Sequence, residues 1–350
     1  MTSDIALILA MDGLATGAIY VLVGLGLVLI FSTTRVIFVP FGDIVAFSAL
    51  TLSSLQLGRL PGTIHLVVVL SVTACIVDAI GHWRRGRSRR IVHGLIGYGV
   101  LPIIPVLIAL ASAGTTLPSW AQILLALALV TPIGPLIDRI ALRPIGDASV
   151  LLLLIVSVAL HYGLAGLGLI FFGAEGFRTA PLTDAMFEIA GMPVSGQTLL
   201  MIAAAAVFSL MLYLLFEFTL HGKALRATAV NRVGARIVGI RPSATGTLAF
   251  LLASLLGAIS GLLIGPVTTL YYDSGFLIGL KAFVGAIFGA MVSYPLTAIG
   301  AILVGMLESY ASFWSSAFKE VVVFSLLIPI LLWRSLTTAQ VEEEDEEIEG

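Results

Sequence analysis

The chain has 350 residues, of which 59% are hydrophobic and 11% charged, with a formal net charge of −2 and a mean hydropathy of +1.11. One soluble core of this length cannot bury that much apolar surface, so the composition excludes a water-soluble globular protein and indicates an integral membrane protein. The single cysteine, Cys75, excludes a disulfide framework within one chain.

Apolar runs of about 20 residues, long enough as helices to cross a hydrocarbon core of about 30 Å, recur along the whole chain. The alternating strands of an outer-membrane barrel are missing. In chain order the predicted helices cover residues 8–31, 37–57, 63–81, 91–112, 119–137, 149–172, 196–217, 244–270, a broken pair over 276–308, and 320–334, about ten in all. The first residues carry Asp4 and Asp12 but no Lys or Arg, so the first run reads as a retained helix rather than a cleaved signal. Ser293 to Pro295 marks the break in the pair, and broken helices of this kind are common beside transport pathways.

The cations fix the expected orientation. With an outside N-terminus, Arg35, the cluster Arg84, Arg85, Arg87, Arg89 and Arg90, then Arg139, Arg143, Lys223, Arg226, Arg232, Arg236, Arg241 and Arg334 all fall on one side, which the positive-inside rule makes cytoplasmic. Arg59, Arg178 and Lys319 fall on the other side, and Lys281 lies within an apolar run. Residues 336–350, ending in VEEEDEEIEG, form an acidic block expected to be a disordered cytoplasmic tail, either simply solvated or in contact with a basic partner. Without its seven acids the rest of the chain is net +5, from 18 cationic and 13 acidic residues.

Chemistry-bearing patterns are sparse. No GxxxxGK[ST] loop occurs, so any ATP used must be bound by another chain. The five histidines, His65, His82, His93, His161 and His221, lack metal-ligand spacing, and a metal site is not expected. Six charged residues fall in or near the spans: Asp12, Asp43, Asp78, Glu217, Lys281 and Glu308. A charge at mid-bilayer costs at least about 2.5–3.5 kcal/mol, so any that is central must face a cavity or a partner. Asp78 reads as interfacial, Glu217 as the partner of a nearby Arg or Lys, and Lys281 with Glu308 as an ion pair, a pathway element or interfacial groups. Tyr271, Tyr272 and Asp273 read as an outer interfacial belt closing a helix. Gly257, Gly261 and Gly265, and again Gly285 and Gly289, stand four apart, the spacing of close helix contact within the subunit or against a partner.

The segment from His221 to Arg241 is polar, cationic and set between two long apolar runs. Leu225, Ala229, Val233 and Ile237 recur every four residues as an apolar stripe, with Arg232 and Arg236 on another face. Gly234 and Gly239 allow turns, and Pro242 starts the next span. Such a helix either lies in a groove of a soluble partner or rests on anionic lipid.

Several of these residues form a recognisable pattern. Gly222-Lys223-Ala224-Leu225-Arg226-Ala227, continuing through Asn231-Arg232 to Val238-Gly239-Ile240, resembles the cytoplasmic coupling loop of the branched-chain amino-acid ABC permease family of the LivH type. Gly279-Leu280-Lys281-Ala282-Phe283, Gly285, Gly289, Gly305 with Glu308, and Phe318 to Val322 are similar to that family's C-terminal third, and Asp138 to Pro144 to one of its short cytoplasmic loops. The likeness covers roughly residues 8–57 and 119–335.

Three features depart from the family. Val230 stands where an acidic or amide residue is common. Phe38-Val39-Pro40-Phe41-Gly42-Asp43 keeps only the glycine and the acid of Asn-Phe-Ala-His-Gly-Glu, which suits a less polar cargo than leucine. Residues 58–118 have no counterpart in the usual eight-helix layout and are expected to add a two-helix hairpin. The resemblance implies an all-α polytopic transmembrane bundle with the fold of an ABC importer permease over residues 1–335, performing no bond chemistry. It implies a coupling loop over 218–242, in which Gly222, Lys223, Leu225, Arg226, Ala229, Asn231, Arg232, Val233, Arg236 and Gly239 meet the ATPase. Phe38, Phe41, Gly42, Asp43, Lys281 and Glu308 are the expected path residues. The implied partners are two ATPase subunits that hydrolyse ATP, a second related permease or a second copy, an extracytoplasmic solute-binding protein and the plasma-membrane bilayer, with no nucleic acid and no cofactor on this chain. The cargo would be a branched-chain amino acid or a related small amphipathic carboxylate or amide. An ion-coupled secondary transporter, with Asp43 and Glu308 as carriers, is the rival reading.

Overall fold

The computed structural model describes residues 3–83, 92, 94–115, 117–146, 148–189 and 191–332. The arginine cluster Arg84–Arg90, His93, Arg334 and the acidic tail lie outside the described residues.

Helix α1 (Ser3–Thr34) is the central post, and five sixths of its most apolar window is buried inside the protein. It is followed by α2 (Phe41–Gln56), α3 (Thr63–Trp83), a π-turn segment (Leu95–Val100) leading into α4 (Leu101–Ala111), α5 (Ser119–Val130), α6 (Ile133–Ile137) and α7 (Val150–Phe172). A hairpin of β1 (Met186–Ile189) and β2 (Met192–Ser195) precedes α8 (Gly196–Phe218), α9 (Leu220–Val230), α10 (Arg232–Ile237) and α11 (Pro242–Ile264). The chain continues through α12 (Ser274–Phe288), α13 (Tyr294–Trp314) and α14 (Lys319–Ser325). Seven of the described helices are long and apolar enough to cross a membrane, and the protein is a multi-pass membrane protein.

Around α1 pack α8, α11, α12 and α13, while α2 is wedged between α5, α11 and α12. Close approach replaces the hydrophobic force that lipid cannot supply. On α1, a Cβ at Gly13 would lie 2.8 Å from the Met306 backbone of α13, and one at Gly17 would lie 2.9 Å from that of Ile302. The expected glycine stripes also serve internal packing: a Cβ at Gly257 would touch Phe41 and Ile44, one at Gly261 would overlap the Val45 backbone, and one at Gly285 would overlap Ala301.

The break in the pair lies just before the expected Ser293 to Pro295, meeting it at Ser293, because Tyr294 and Pro295 already form the first turn of α13. Residues 289–293 separate α12 from α13, with Ala290 and Met291 at φ 51° and 58° and the Ser293 side chain capping α13. Other boundaries differ from expectation. Helix α2 starts at Phe41 rather than 37, because Val36 to Pro40 runs non-helically back into the bundle and Pro40 precedes the first turn. Helix α11 ends at Ile264 rather than 270, where Pro266 follows and the backbones of Thr179 and Phe177 bond to Gly265 and Leu270. The β-hairpin was not foreseen and lies in the connection between two spans.

Within the expected insertion, α3 packs on α4 and its π turn, and together they contact α5, α6 and the π turn at Asp138–Leu142. Asp78 pairs with Arg139 at 2.6 Å, and both side chains are largely buried within the protein. Arg143 bonds Asp138 at 2.6 Å, Tyr98 at 3.2 Å and Thr247 of α11, so one guanidinium joins the hairpin to the central bundle. Five donors in a rigid fork make arginine suited to such a junction.

Candidate functional site

Two regions bring the expected site residues together. The first is the connection between α8 and α11. Thr219 caps α9 by accepting from Gly222 N–H at 3.0 Å, and Asn231 caps α10 by accepting from Val233 and Gly234 at 3.0 and 2.9 Å. Asn231 is itself extended, with φ −148° and ψ 105°, so the segment is two short helices meeting at a corner rather than one continuous helix. Gly239 at φ 87° makes the turn into α11.

The corner divides the apolar stripe. Leu225 is buried against the bundle and Ala229 half-buried, whereas Val233 and Ile237 are exposed. Val230, Val233, Ile237 and Val238 therefore form an outward apolar patch, each at least 66% exposed. Lys223, Arg226 and Arg236 are exposed around it, and Gly222 sits tightly on the backbone of Leu215 and Phe216. Arg226 pairs with Glu217 at 3.2 Å, as the sequence suggested for that acid. Arg232 Nε is buried without a hydrogen-bond partner among the described residues. A shallow groove lies along Lys223, Ala227, Asn231, Ala235 and Val238. An apolar patch ringed by cations can seat on a soluble partner with acidic or apolar surface.

The second region lies inside the bundle. The first turn of α2 faces Gly257, about 22 Å along α11 from its start. Here Asp43, fully buried, meets His161 Nδ1 of α7 at 2.8 and 3.0 Å. The imidazole stacks on Phe276 of α12 with centroids 4.7 Å apart, and Phe276 is 36% exposed, so this contact reaches the surface of the subunit. One helical turn earlier on α7, Ser157 Oγ accepts from Val39 N–H at 2.8 Å and holds the non-helical entry to α2. Gly42 and Gly275 meet backbone to backbone, so the N-termini of α2 and α12 converge at this level. Phe38 packs edge-on against Phe250 at 5.1 Å, and Phe41 fills the space left by Gly26 and Gly257. In this conformation both phenylalanines are packing residues, at most 1% exposed.

Lys281 and Glu308 form an ion pair between the two halves of the broken helix pair. Glu308 also accepts from Tyr20 OH of α1 at 2.5 Å, and Lys281 Nζ lies 3.5 Å from Glu320 of α14. Four elements thus share one buried polar network, as a charge in hydrocarbon requires. Sequence reasoning missed His161, Tyr20, Glu320 and Phe276. A lone histidine in the middle of the apolar run 150–172 was the available signal, but it was weighed only for metal spacing. Among the described residues no group of His, Cys, Asp or Glu is arranged to hold a metal.

The whole of residues 9–331 matches the family described as the branched-chain amino acid transport system permease component. Among curated proteins, the chain is 28% identical over 218 residues to the high-affinity branched-chain amino acid transport system permease protein LivH of Escherichia coli K12, covering 59% of this chain and 70% of that one. It is 27% identical over 209 residues to BraD of Pseudomonas aeruginosa, covering 57% and 68%. A solved structure, PsaBC from Streptococcus pneumoniae in complex with Fab, aligns over 91% of this chain and 89% of that one at 11% identity, with a TM-score of 0.38.

Proposed function

Because the chain belongs to the permease component family of branched-chain amino acid transport systems, and is thus a transport component rather than an enzyme, we propose that it is a membrane-spanning half of an ATP-driven importer. In this reading α9 and α10 dock on a separate ATPase at the cytoplasmic face. A second permease, or a second copy, completes the path, and an external binding protein delivers the cargo. The cargo is a branched-chain amino acid or a related small amphipathic carboxylate or amide, in keeping with the branched-chain amino acid transport of its relatives LivH and BraD. Two ATPase subunits bind and hydrolyse the ATP, and this chain binds none.

The observation that carries the proposal is the outward patch of Val230, Val233, Ile237 and Val238 ringed by Lys223, Arg226 and Arg236, on two capped helices rooted directly in α8 and α11. Leu225, Ala229 and Gly222 anchor that element to the bundle, and Asn231 and Gly239 set its corners, so displacement of the patch moves both spans. Within the bundle, the convergence of α2 and α12 beside Asp43, His161 and Phe276 is where a path along the subunit surface would pass. Phe38, Phe41 and Gly42 position it from behind. Broken helices with N-termini in the membrane are suited to a carboxylate, because their free N–H groups carry partial positive charge. Lys281 and Glu308 brace the broken pair as it rocks between states that nucleotide and cargo bias from opposite ends. The ion-coupled alternative has less support, since Asp43 and Glu308 are each already held by an internal partner.

The test is purification in mild detergent from the native membrane, followed by mass spectrometry of what stays bound in stoichiometric amount. An ATPase with nucleotide-binding motifs and a permease partner are expected, with the ATPase lost when Arg232 and Arg236 are replaced by Glu. Recovery of the intact chain alone, with uptake that collapses when the ion gradient is removed, would overturn the proposal.

A further inference from the structure

A cavity of about 650 Å³ opens beside α1, between α8 and α13 and roofed by α9. Its size lies within the range of about 300–1,000 Å³ typical of small-molecule sites. Its walls are apolar, with Leu212 and Phe216 of α8 facing Tyr294 of α13, whose ring lies 5.1 Å from that of Phe216. The deep end is closed by Leu25, Ser209 and Ala298. The mouth carries two cations, Arg35 and Arg226. Arg35 makes no ion pair among the described residues, is exposed, and lies over the Phe31 ring at 5.8 Å. Arg226 shares its charge with Glu217, but both groups remain about half exposed.

The length of this groove is informative. From Leu25 to Thr34, its last residue, α1 rises about 14 Å, and Arg35 follows directly. That is nearly half of a hydrocarbon core of about 30 Å, the depth of one leaflet. A groove that is apolar for one leaflet and cationic where that leaflet ends has the charge and shape complement of an anionic phospholipid. The wall helix α8 has only about a fifth of its apolar window buried inside the protein, so lipid can reach the groove from the side.

We propose that this groove binds one anionic phospholipid, its acyl chain between α8 and α13 and its phosphate at Arg35 and Arg226. The lipid then underlies α9, the helix that connects the proposed docking patch to the bundle. It acts as a wedge that sets how α9 sits on α1 and α13. The binding itself does not depend on the proposed importer role, only on the protein spanning a membrane.

The experiment uses the full-length protein reconstituted in vesicles carrying a photoactivatable acyl chain on either phosphatidylglycerol or phosphatidylcholine, with adducts mapped by peptide mass spectrometry. The expected result is phosphatidylglycerol labelling at Leu212, Phe216 or Ala298, exceeding phosphatidylcholine labelling there. Arg35→Gln and Arg226→Gln should each reduce it about fivefold, the effect of one cation near an anionic headgroup. Ala298→Trp, which fills the deep end and leaves both arginines in place, should abolish labelling with either headgroup, while elution as an intact particle confirms that each variant folds. Equal labelling by the two lipids that ignores both arginines would overturn the proposal. So would efficient cross-linking between cysteines placed at Tyr213 and Ala298 of two copies, since a second protein chain would then occupy the groove.

Discussion

The polar network inside the bundle makes an asymmetric prediction. Lys281 is 5% exposed and faces two acids, Glu308 in direct ion pair and Glu320 at 3.5 Å. Lys281→Met leaves Glu308 without its cation in a largely buried site, while the more exposed Glu320 keeps Lys319 at 3.9 Å, and removing one partner of a buried pair costs about 3–5 kcal/mol. Glu308→Gln is milder, because Lys281 retains Glu320 and the amide can still accept from Tyr20, so the loss is that of a charged hydrogen bond, about 1.5–3 kcal/mol. In Lys281→Met/Glu308→Leu the buried carboxylate goes with its cation, Glu320 keeps Lys319, and the main remaining defect is the unmet Tyr20 hydroxyl, about 1–3 kcal/mol. The double variant is therefore expected to be more stable than Lys281→Met alone. Equilibrium unfolding in mixed micelles measures all three, and a double-mutant cycle isolates the coupling. If Lys281→Met costs under about 1 kcal/mol, or if the double variant equals the sum of the singles, the network does not brace the two helices and the reasoning fails.

Replacing His161 by Leu should destabilise the protein by about 1–3 kcal/mol by stripping the fully buried Asp43 of its partner. Asp43→Asn keeps an acceptor for the imidazole and should cost less; equal losses in the same unfolding assay would count against the pairing. Gly275→Ala should cost about 1–3 kcal/mol or more, since the added methyl overlaps the Gly42 backbone, and Gly97→Ala, whose Cβ meets open space, serves as the neutral control. Arg143→Met severs the bonds to Tyr98, Asp138 and Thr247 together, and is expected to cost about 1.5–3 kcal/mol in the same unfolding assay. An unchanged stability would mean that apolar packing alone holds α3 and α4 to the central bundle.

Much of this architecture is readable from the chain because hydropathy is a local property. The runs at 149–172 and 196–217 form α7 and α8 with ends displaced by a residue, and the break between α12 and α13 ends at Ser293, the first residue of the expected break. The outward segment between α8 and α11 was equally legible, since a cationic stretch between apolar runs has no place in hydrocarbon. Its corner at Asn231 was less so, because an i to i+4 stripe reads the same across an interruption as along one helix, and it takes the two capping bonds to show that Val233 and Ile237 turn outward. The rotation of each helix about its axis could not be read at all. Lipid is as apolar as leucine, so no hydrophobic force orients a span whose faces are equally greasy, and long-range partners must do so. Tyr20 and Glu308 stand 288 positions apart, Asp43 and His161 118, and no periodicity links either pair. Those contacts, with the backbone meeting of Gly42 and Gly275, exist only once the bundle has closed, because each requires helices from distant parts of the chain to arrive at the same depth and facing each other.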